Sequence, residues 1–362
     1  MKIVIRAGGI GTRLWPMSRA DNPKQFQNII GSKSMLRNTY ERIAPLLDKP
    51  GDLFISVNRK FKDRAKKEIP EIENNNIIIE TDTRNTGPAM CLEVCYLEKL
   101  CGPGEVIASL PADDYISDNE AFGSLLLTTE NFILNNPDYI LTPAIIPAYP
   151  DTGYTYFKSG KKLHRNGEEA IYWVAGVVEK PNYEYCQELI KTGVYYSHTG
   201  MYLWQLKHIA NLFKIHQKEM YKTCQAVVEL ISDKKDLKKA QELYGELEKI
   251  TVETAITNKI DKIAMSVSNK IGWSDLGKWH IIKRILSENE EDNVIKGEVE
   301  ISDSVNNLIY CAQDKKIIVV NDINNLAIID TKDALFISSL KGSADVKKAV
   351  EKLKKEGKNN YL

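Results

Sequence analysis

Lys2-Ile3-Val4-Ile5-Arg6-Ala7-Gly8-Gly9-Ile10-Gly11-Thr12-Arg13-Leu14-Trp15-Pro16 opens the chain with a short apolar run that breaks straight into glycines. A strand that ends in a glycine loop is the usual start of an α/β domain. Without Cβ atoms, the loop's N–H groups can approach phosphate oxygens closely. Arg13 and, further on, Lys24 of Pro23-Lys24-Gln25-Phe26 add two positive charges. The guanidinium can fork onto two phosphate oxygens, whereas the ammonium acts as a point charge. The third glycine of a dinucleotide fingerprint is missing, and no Gly-Lys-Ser/Thr follows, so neither common phosphate loop is present.

Further apolar runs at Leu53–Val57, Ile77–Glu80, Val106–Leu110 and Tyr139–Pro143 read as strands. Helical patterns at Ser34–Leu47 and Ala89–Leu100 lie between them, and the alternation predicts a Rossmann-like α/β domain with a mixed, mostly parallel sheet flanked by helices. Residues 205–262 turn helical, with a charged amphipathic run over Lys234–Ile250. Beyond residue 286, short β-type runs alternate with Asn/Asp/Gly turns. The expected organisation is therefore a domain over 1–285 and a small β-rich domain over 286–362. A six-residue apolar spacing (Ile295 to Ile301, Val299 to Val305) hints at a β-helical coil, and Ser343 reads as the N-cap of a closing helix.

The 362 residues are 43% hydrophobic and carry 49 basic and 49 acidic side chains. That balance gives no electrostatic reason to expect nucleic acid or an acidic membrane as partner. No apolar run reaches the roughly 18 residues of a membrane helix, and no signal-peptide pattern is present, so the expected location is cytoplasmic. The six cysteines form no CxxC pair and read as small buried residues. None of His164, His208, His216 and His280 is placed for a metal or a triad.

Together, the glycine loop, Thr12-Arg13-Leu14-Trp15-Pro16 and Pro23-Lys24-Gln25-Phe26 resemble the mannose-1-phosphate guanylyltransferases, within the sugar nucleotidylyltransferases. Further matches keep the family's order: Arg84-Asn85-Thr86-Gly87-Pro88, Leu110-Pro111-Ala112-Asp113, Gly153-Tyr154, Glu179-Lys180-Pro181 and Gly272-Trp273-Ser274-Asp275-Leu276-Gly277. The resemblance implies a sheet-based nucleotide-sugar transferase fold, with a C-terminal part similar to a left-handed β-helix. It implies nucleotide contacts from Ala7, Gly8, Gly9, Gly11, Thr12, Arg13, Lys24, Arg84, Asn85, Thr86 and Pro88. Sugar-phosphate contacts fall to Gly153, Tyr154, Glu179, Lys180, His198 and Thr199. Mg²⁺ falls to Asp113 and Asp275, and Arg13, Lys24, Lys180 and Asp113 are the catalytic set. The implied reaction joins GTP to α-D-mannose 1-phosphate, giving GDP-mannose and pyrophosphate, in a homodimer without a fused isomerase domain. Another hexose phosphate or nucleotide, or a non-catalytic regulatory paralogue, is the alternative.

The chemistry suits these residue types. The attacking phosphate is largely ionised near neutral pH (second pKa about 6), so no general base is needed. Two anions must instead be aligned and their charge neutralised. Asp113 would otherwise only cap a helix after its strand, and Lys180 would be a surface turn residue. The sequence departs from the family at Arg6, Asp114, His198-Thr199, Glu253-Thr254 and Thr257-Asn258-Lys259. Arg6 is expected to face the phosphates or pair with an acid, because an unpaired charge at the end of a central strand is costly.

Overall fold

The computed structural model describes residues 1–9, 12–166, 169–232 and 236–362. They form two compact units: residues 1–8, 36–112 and 116–273 make the first, and residues 9–35, 113–115 and 274–362 the second.

The first unit is built on a ten-stranded sheet. Its order is Ile263–Val267, Glu169–Glu179, Thr155–Asn166, Tyr195–His198, Ile140–Ile145, Tyr202–Gln205, Val106–Pro111, Lys2–Arg6, Leu53–Asn58, Ile77–Glu80. The predicted strands, the α/β class and a mixed sheet are present, but parallel pairing does not predominate in it. Parallel pairing joins the last four strands in that order, and Ile140–Ile145 to Ile263–Val267. The other pairings are antiparallel. The parallel strands Leu53–Asn58 to Val106–Pro111 have helices between them, whereas strands 155–166 and 169–179 follow one another closely and fold back as a hairpin. Helix Thr86–Leu100 buries Met90, Cys91, Val94, Cys95 and Leu97 in one core with Val4, Phe54, Ile78 and Ile107 of the sheet. All six cysteines are free thiols. The charged run near Lys234 becomes helix Leu237–Gly245, while residues 233–235 lie outside the described set.

The second unit joins the glycine-loop segment to the C-terminal strands, so its boundary does not follow the expected division at 285/286. The reason is its core. Leu14, Met17, Ile29, Met35, Leu276, Trp279 and Ile282 pack with Val294, Leu308, Tyr310, Ala327, Ile329 and Leu340. Strands Val294–Lys296, Leu308–Cys311, Leu326–Asp330 and Leu335–Ser339 make one sheet; Val299–Ser302 and Ile318–Asn321 make another. Pairing is parallel except at the last strand of the four.

Neighbouring turns are offset by 19 residues: Asn306 Nδ2 donates to Asn325 Oδ1 at 2.6 Å, and Leu326 N to Asn307 Oδ1 at 2.9 Å. Its corners have positive φ at Asp303 (46°) and Asp322 (53°), and at Asn306 (56°) and Asn325 (62°). Short Asn and Asp side chains tolerate that conformation, which explains the turn composition. Ser343 does not cap the last helix. Ser343 lies within the 3₁₀ turn Gly342–Asp345, its hydroxyl donates back to the Leu340 carbonyl (2.6 Å), and helix Val346–Lys355 has Asp345 at its N-cap position. Among the described residues, no helix is long and apolar enough to cross a membrane.

Candidate active site

Within the second unit, the described residues of segment 9–34 form two 3₁₀ turns and no strand or α-helix, and Met35 opens helix Met35–Ile43. Turn Thr12–Leu14 carries Arg13, and turn Lys24–Phe26 carries Lys24. Apolar neighbours fix the first turn. Leu14 and Trp15 are buried, the Trp279 indole donates to the Trp15 carbonyl (3.1 Å), and the Trp15 indole donates to the Tyr361 carbonyl (2.6 Å). Gln25 Nε2 donates to the Gly9 carbonyl at 2.9 Å and ties the second turn to the glycine loop.

Lys24 is only 2% exposed. Its ammonium lies 3.0 Å from Asp113 Oδ2 and 3.1 Å from Asp275 Oδ1. Asp275 Oδ2 lies 3.3 Å from an Arg13 guanidinium nitrogen. The two aspartates, far apart in sequence, meet because Asp114–Tyr115 pairs antiparallel with Ser274–Asp275, placing Asp275 opposite Asp114. Gly277 permits the approach, since a Cβ there would stand 3.0 Å from Arg13 Cζ. Burial works against the Lys24 ammonium, yet Asp113, Asp275 and Asp114 outweigh it and leave its pKa above the usual lysine value. Burial would raise the Asp275 carboxyl; Lys24 and Arg13 reverse that and hold it below the usual range.

The set fits a divalent cation. Two converging carboxylates are hard oxygen donors, and Mg²⁺ characteristically takes one or two carboxylates together with waters and substrate phosphates. Among the described residues no group of three or more His, Cys, Asp or Glu could hold a metal by itself, so substrate oxygens and water would complete the shell. Gly11 lies outside the described residues, and Thr12 is described by its backbone alone.

In the first unit, Ala7 N donates to the Ser56 carbonyl at 2.7 Å, and Gly8 lies against the buried Glu80 carboxyl. Burial pushes Glu80 up to about 7, with Glu93 adding to the rise. Arg6 reaches its acid through an intermediary. It donates to Ser109 Oγ (2.7 Å) and to the Gly200 carbonyl (2.6 Å), and the Ser109 hydroxyl donates to Glu93 Oε2 (2.8 Å). Arg84 pairs with Asp82 at 2.8 Å. Asn85, at φ 71°, caps helix Thr86–Leu100 by accepting from Thr86 N, and Pro88 is buried in its first turn.

Gly153, Tyr154, Glu179 and Lys180 come together. Lys180 N donates to the Tyr154 carbonyl at 3.1 Å, Gly153 N donates to Asp151 Oδ1 at 2.8 Å, and the Tyr154 ring packs on Trp273 with centroids 5.5 Å apart. The Lys180 side chain is 60% exposed, with its ammonium 3.4 Å from Glu179. His198 and Thr199 are buried, and Thr199 Oγ1 donates to the Pro143 carbonyl at 2.8 Å. Both are engaged by protein groups. The acid beside His198 is Glu253, which sequence reasoning did not place among the site residues; its signal was that both positions depart from the family pattern together.

The nucleotidyl transferase family model matches residues 2–291. A mannose-1-phosphate guanylyltransferase of Salmonella typhimurium (strain LT2) is 33% identical over 362 residues, 99% of this chain and 73% of that protein. The chain belongs to the nucleotidyl transferase family, among the mannose-1-phosphate guanylyltransferases. A second such guanylyltransferase, from Salmonella muenchen, is 32% identical over 99% of this chain and 74% of its own length. The solved structure of a Thermus thermophilus protein named mannose-1-phosphate geranyltransferase superposes with a TM-score of 0.84 at 26% identity, over 98% of this chain and 99% of that one. This nucleotidyl transferase is an enzyme whose general reaction passes a nucleotidyl group to a sugar 1-phosphate.

Proposed function

We propose that the enzyme transfers a guanylyl group from GTP to α-D-mannose 1-phosphate, releasing pyrophosphate and GDP-mannose. The observation that carries this reading is the buried Lys24 ammonium flanked by Asp113 and Asp275, with Arg13 on the second aspartate. With a divalent cation on the two carboxylates, such a group would suit a highly charged anion and nothing apolar. The names of the relatives support the guanine base and the mannose sugar.

A phosphate oxygen of the sugar phosphate forms a bond to the α-phosphorus. The bond from that phosphorus to the α–β bridging oxygen breaks, and pyrophosphate leaves with the electron pair. Arg13 and Lys24 neutralise triphosphate oxygens; Lys180 neutralises the sugar phosphate. Gly8, Gly9, Gly11 and Thr12 cradle phosphates through backbone N–H groups, and Arg84–Pro88 serve the base. Mg²⁺ held by Asp113 and Asp275 would add charge neutralisation. The reading includes a homodimer, a cytoplasmic setting and, from the 19-residue coil, a short left-handed β-helix.

The test is pyrophosphate release by purified protein with Mg²⁺, over five nucleoside triphosphates and several hexose 1-phosphates. Release confined to GTP with mannose 1-phosphate is expected. Release with a different pair would move the base or sugar assignment, and none with any pair would overturn the reading.

A further inference from the structure

Strand Leu335–Ser339 is the outermost of its four-stranded sheet and pairs only with Leu326–Asp330. The phase of that pairing is fixed at both ends. Thr331 N donates to the Ala334 carbonyl at 2.9 Å, and Leu340 N to the Asn325 carbonyl at 2.8 Å. Hydrogen-bonded positions alternate along an antiparallel ladder, so Phe336 and Ser338 turn their N–H and C=O groups inward to the neighbouring strand. Leu335, Ile337 and Ser339 turn theirs outward. Among the described residues, these outward groups meet only the Ser338 hydroxyl, which donates to the Ser339 carbonyl at 3.1 Å.

On one face of the strand, Phe336 packs edge-on against Trp15, with centroids 6.1 Å apart. The other face carries Leu335 and Ile337, which stand opposite Asp330 and Ile328 and share the face that forms the interior of the coil. Ile328 is buried there with Ile309 and Val320, yet Leu335 and Ile337 are 54% and 57% exposed. The facing sheet has only two strands, Val299–Ser302 and Ile318–Asn321, and stops short of them. Stacked-coil folds need such an apolar end covered. The strand also lacks the devices that keep an edge single. Strand Thr155–Asn166 has Lys161, Lys162 and register shifts where it runs past Tyr195–His198. Leu335–Ser339 is regular in register and carries no charge.

About Ile337 the sequence is complementary to itself. When two such strands pair antiparallel with Ile337 on Ile337, each Leu335 falls opposite Ser339 of the partner subunit, and each Asp333 opposite Lys341 of the partner subunit. The outward N–H and C=O groups then match one another. Asp333 is 41% exposed even with Arg19 on it, and Lys341 is exposed. We propose that a second copy of this chain docks here, the two Leu335–Ser339 strands pairing across a twofold axis at Ile337 and joining their sheets. The proposal rests on the homodimer of the reading above and on nothing about its substrates. A standard interface engages roughly 20–30 residues a side, and one short strand falls below that, so monomer and dimer should exchange readily.

Sedimentation velocity should show wild-type protein passing from monomer to dimer as concentration rises. Ile337→Lys sets two ammonium groups face to face at the twofold and should weaken the association about 100-fold. Circular dichroism checks that this exposed substitution leaves the fold intact. Ile337→Cys reads the geometry directly. Residues opposite one another at a hydrogen-bonded position stand about 5.5 Å apart at Cα, a span that a disulfide accepts, so mild oxidation should link two chains. Val319→Cys, at a 69% exposed position of the same unit, and the wild type with its six native thiols should stay unlinked under the same treatment. Hydrogen exchange at the Leu335, Ile337 and Ser339 amides should be slow in concentrated wild type and fast in Ile337→Lys.

Wild type that stays monomeric at every concentration, a dimer that Ile337→Lys leaves intact, or cross-linking no better in Ile337→Cys than in Val319→Cys would overturn the proposal. An intact dimer in Ile337→Lys would keep the homodimer and move it to another face. Pyrophosphate release is scored separately: wild type inactive with every substrate pair, yet dimeric through Ile337, would overturn the proposed reaction and leave this face standing.

Discussion

Glu80 and Lys24 are both buried ionisable side chains, and their surroundings answer burial differently. Lys24 has three aspartates around it and stays charged. Glu80 has Glu93 nearby and a hydrogen bond from the Ser56 hydroxyl (3.2 Å), and its pKa rises from 4.5 to about 7. The folded protein therefore holds a proton on Glu80 that the unfolded chain releases above pH 4.5. Glu80 favours folding most at low pH, and that advantage drains away as pH climbs to 7. The full swing is about 3 kcal/mol, from roughly 1.4 kcal/mol per pKa unit. Urea midpoints measured from pH 4.5 to 8 should fall more steeply in wild type than in Glu80→Gln; parallel curves would show Glu80 ionised throughout. At this scale the sequence disclosed what a motif names, as with Arg13, Lys24, Asp113 and Asp275. It did not disclose the burial of Glu80, Glu93 or the His198 ring, because burial depends on residues remote in the chain.

Helix Thr86–Leu100 shows what an element needs beyond its own pattern. Its apolar positions were readable from Ala89 onward. The first turn was not, because Gly87 and Pro88 are weak helix formers; proline is tolerated there only because first-turn N–H groups lack helical partners. Gly87 is required by a neighbour. A Cβ would stand 2.8 Å from the Ile250 carbonyl oxygen and 3.2 Å from that of Thr251, both backbone atoms that cannot swing aside. Gly87→Ala should cost about 1–3 kcal/mol, the usual range for overpacking, and shift the segment that bears Glu253. Denaturant unfolding and the GTP KM should move together, since Gly87 lies in the motif proposed to serve the base; an unchanged KM at reduced stability would show that the motif holds its place. The strands of the sheet were likewise found as apolar runs, but an apolar run does not say which way its partner points, so the antiparallel half went unread. Strands 155–166 and 169–179 mix charged and apolar residues and escaped notice.

Across the whole molecule, a change of texture near residue 286 suggested a boundary that the packing crosses. Leu14, Met17, Trp279 and Ile282 share one buried cluster with Leu308, Tyr310 and Ile329. Arg19 adds a bidentate pair with Asp333 at 2.6 and 2.7 Å. A chain stopped after Leu286 should thus expose the apolar side of the segment carrying Arg13 and Lys24. Dye binding to exposed apolar surface should rise and pyrophosphate release should vanish; a truncated protein with full activity would show that the segment holds its shape unaided. Composition could not reveal this, since the two-residue ladder at Asp114–Tyr115 and Ser274–Asp275 that closes the unit is too short to leave a pattern.

The order in which the ribosome delivers these pieces gives the Trp15–Tyr361 hydrogen bond a temporal meaning. Arg13 and Lys24 emerge close to Trp15, but the carbonyl that holds the Trp15 indole arrives 346 residues after that tryptophan. The sheet of the first unit can assemble while translation continues, whereas the turns bearing Arg13 and Lys24 must wait for the last strands and the residues after them. An interrupted nascent chain would carry the loop sequence without its shape. The full set of contacts that shapes this segment thus becomes a late property of the polypeptide, completed only after translation has passed residue 361.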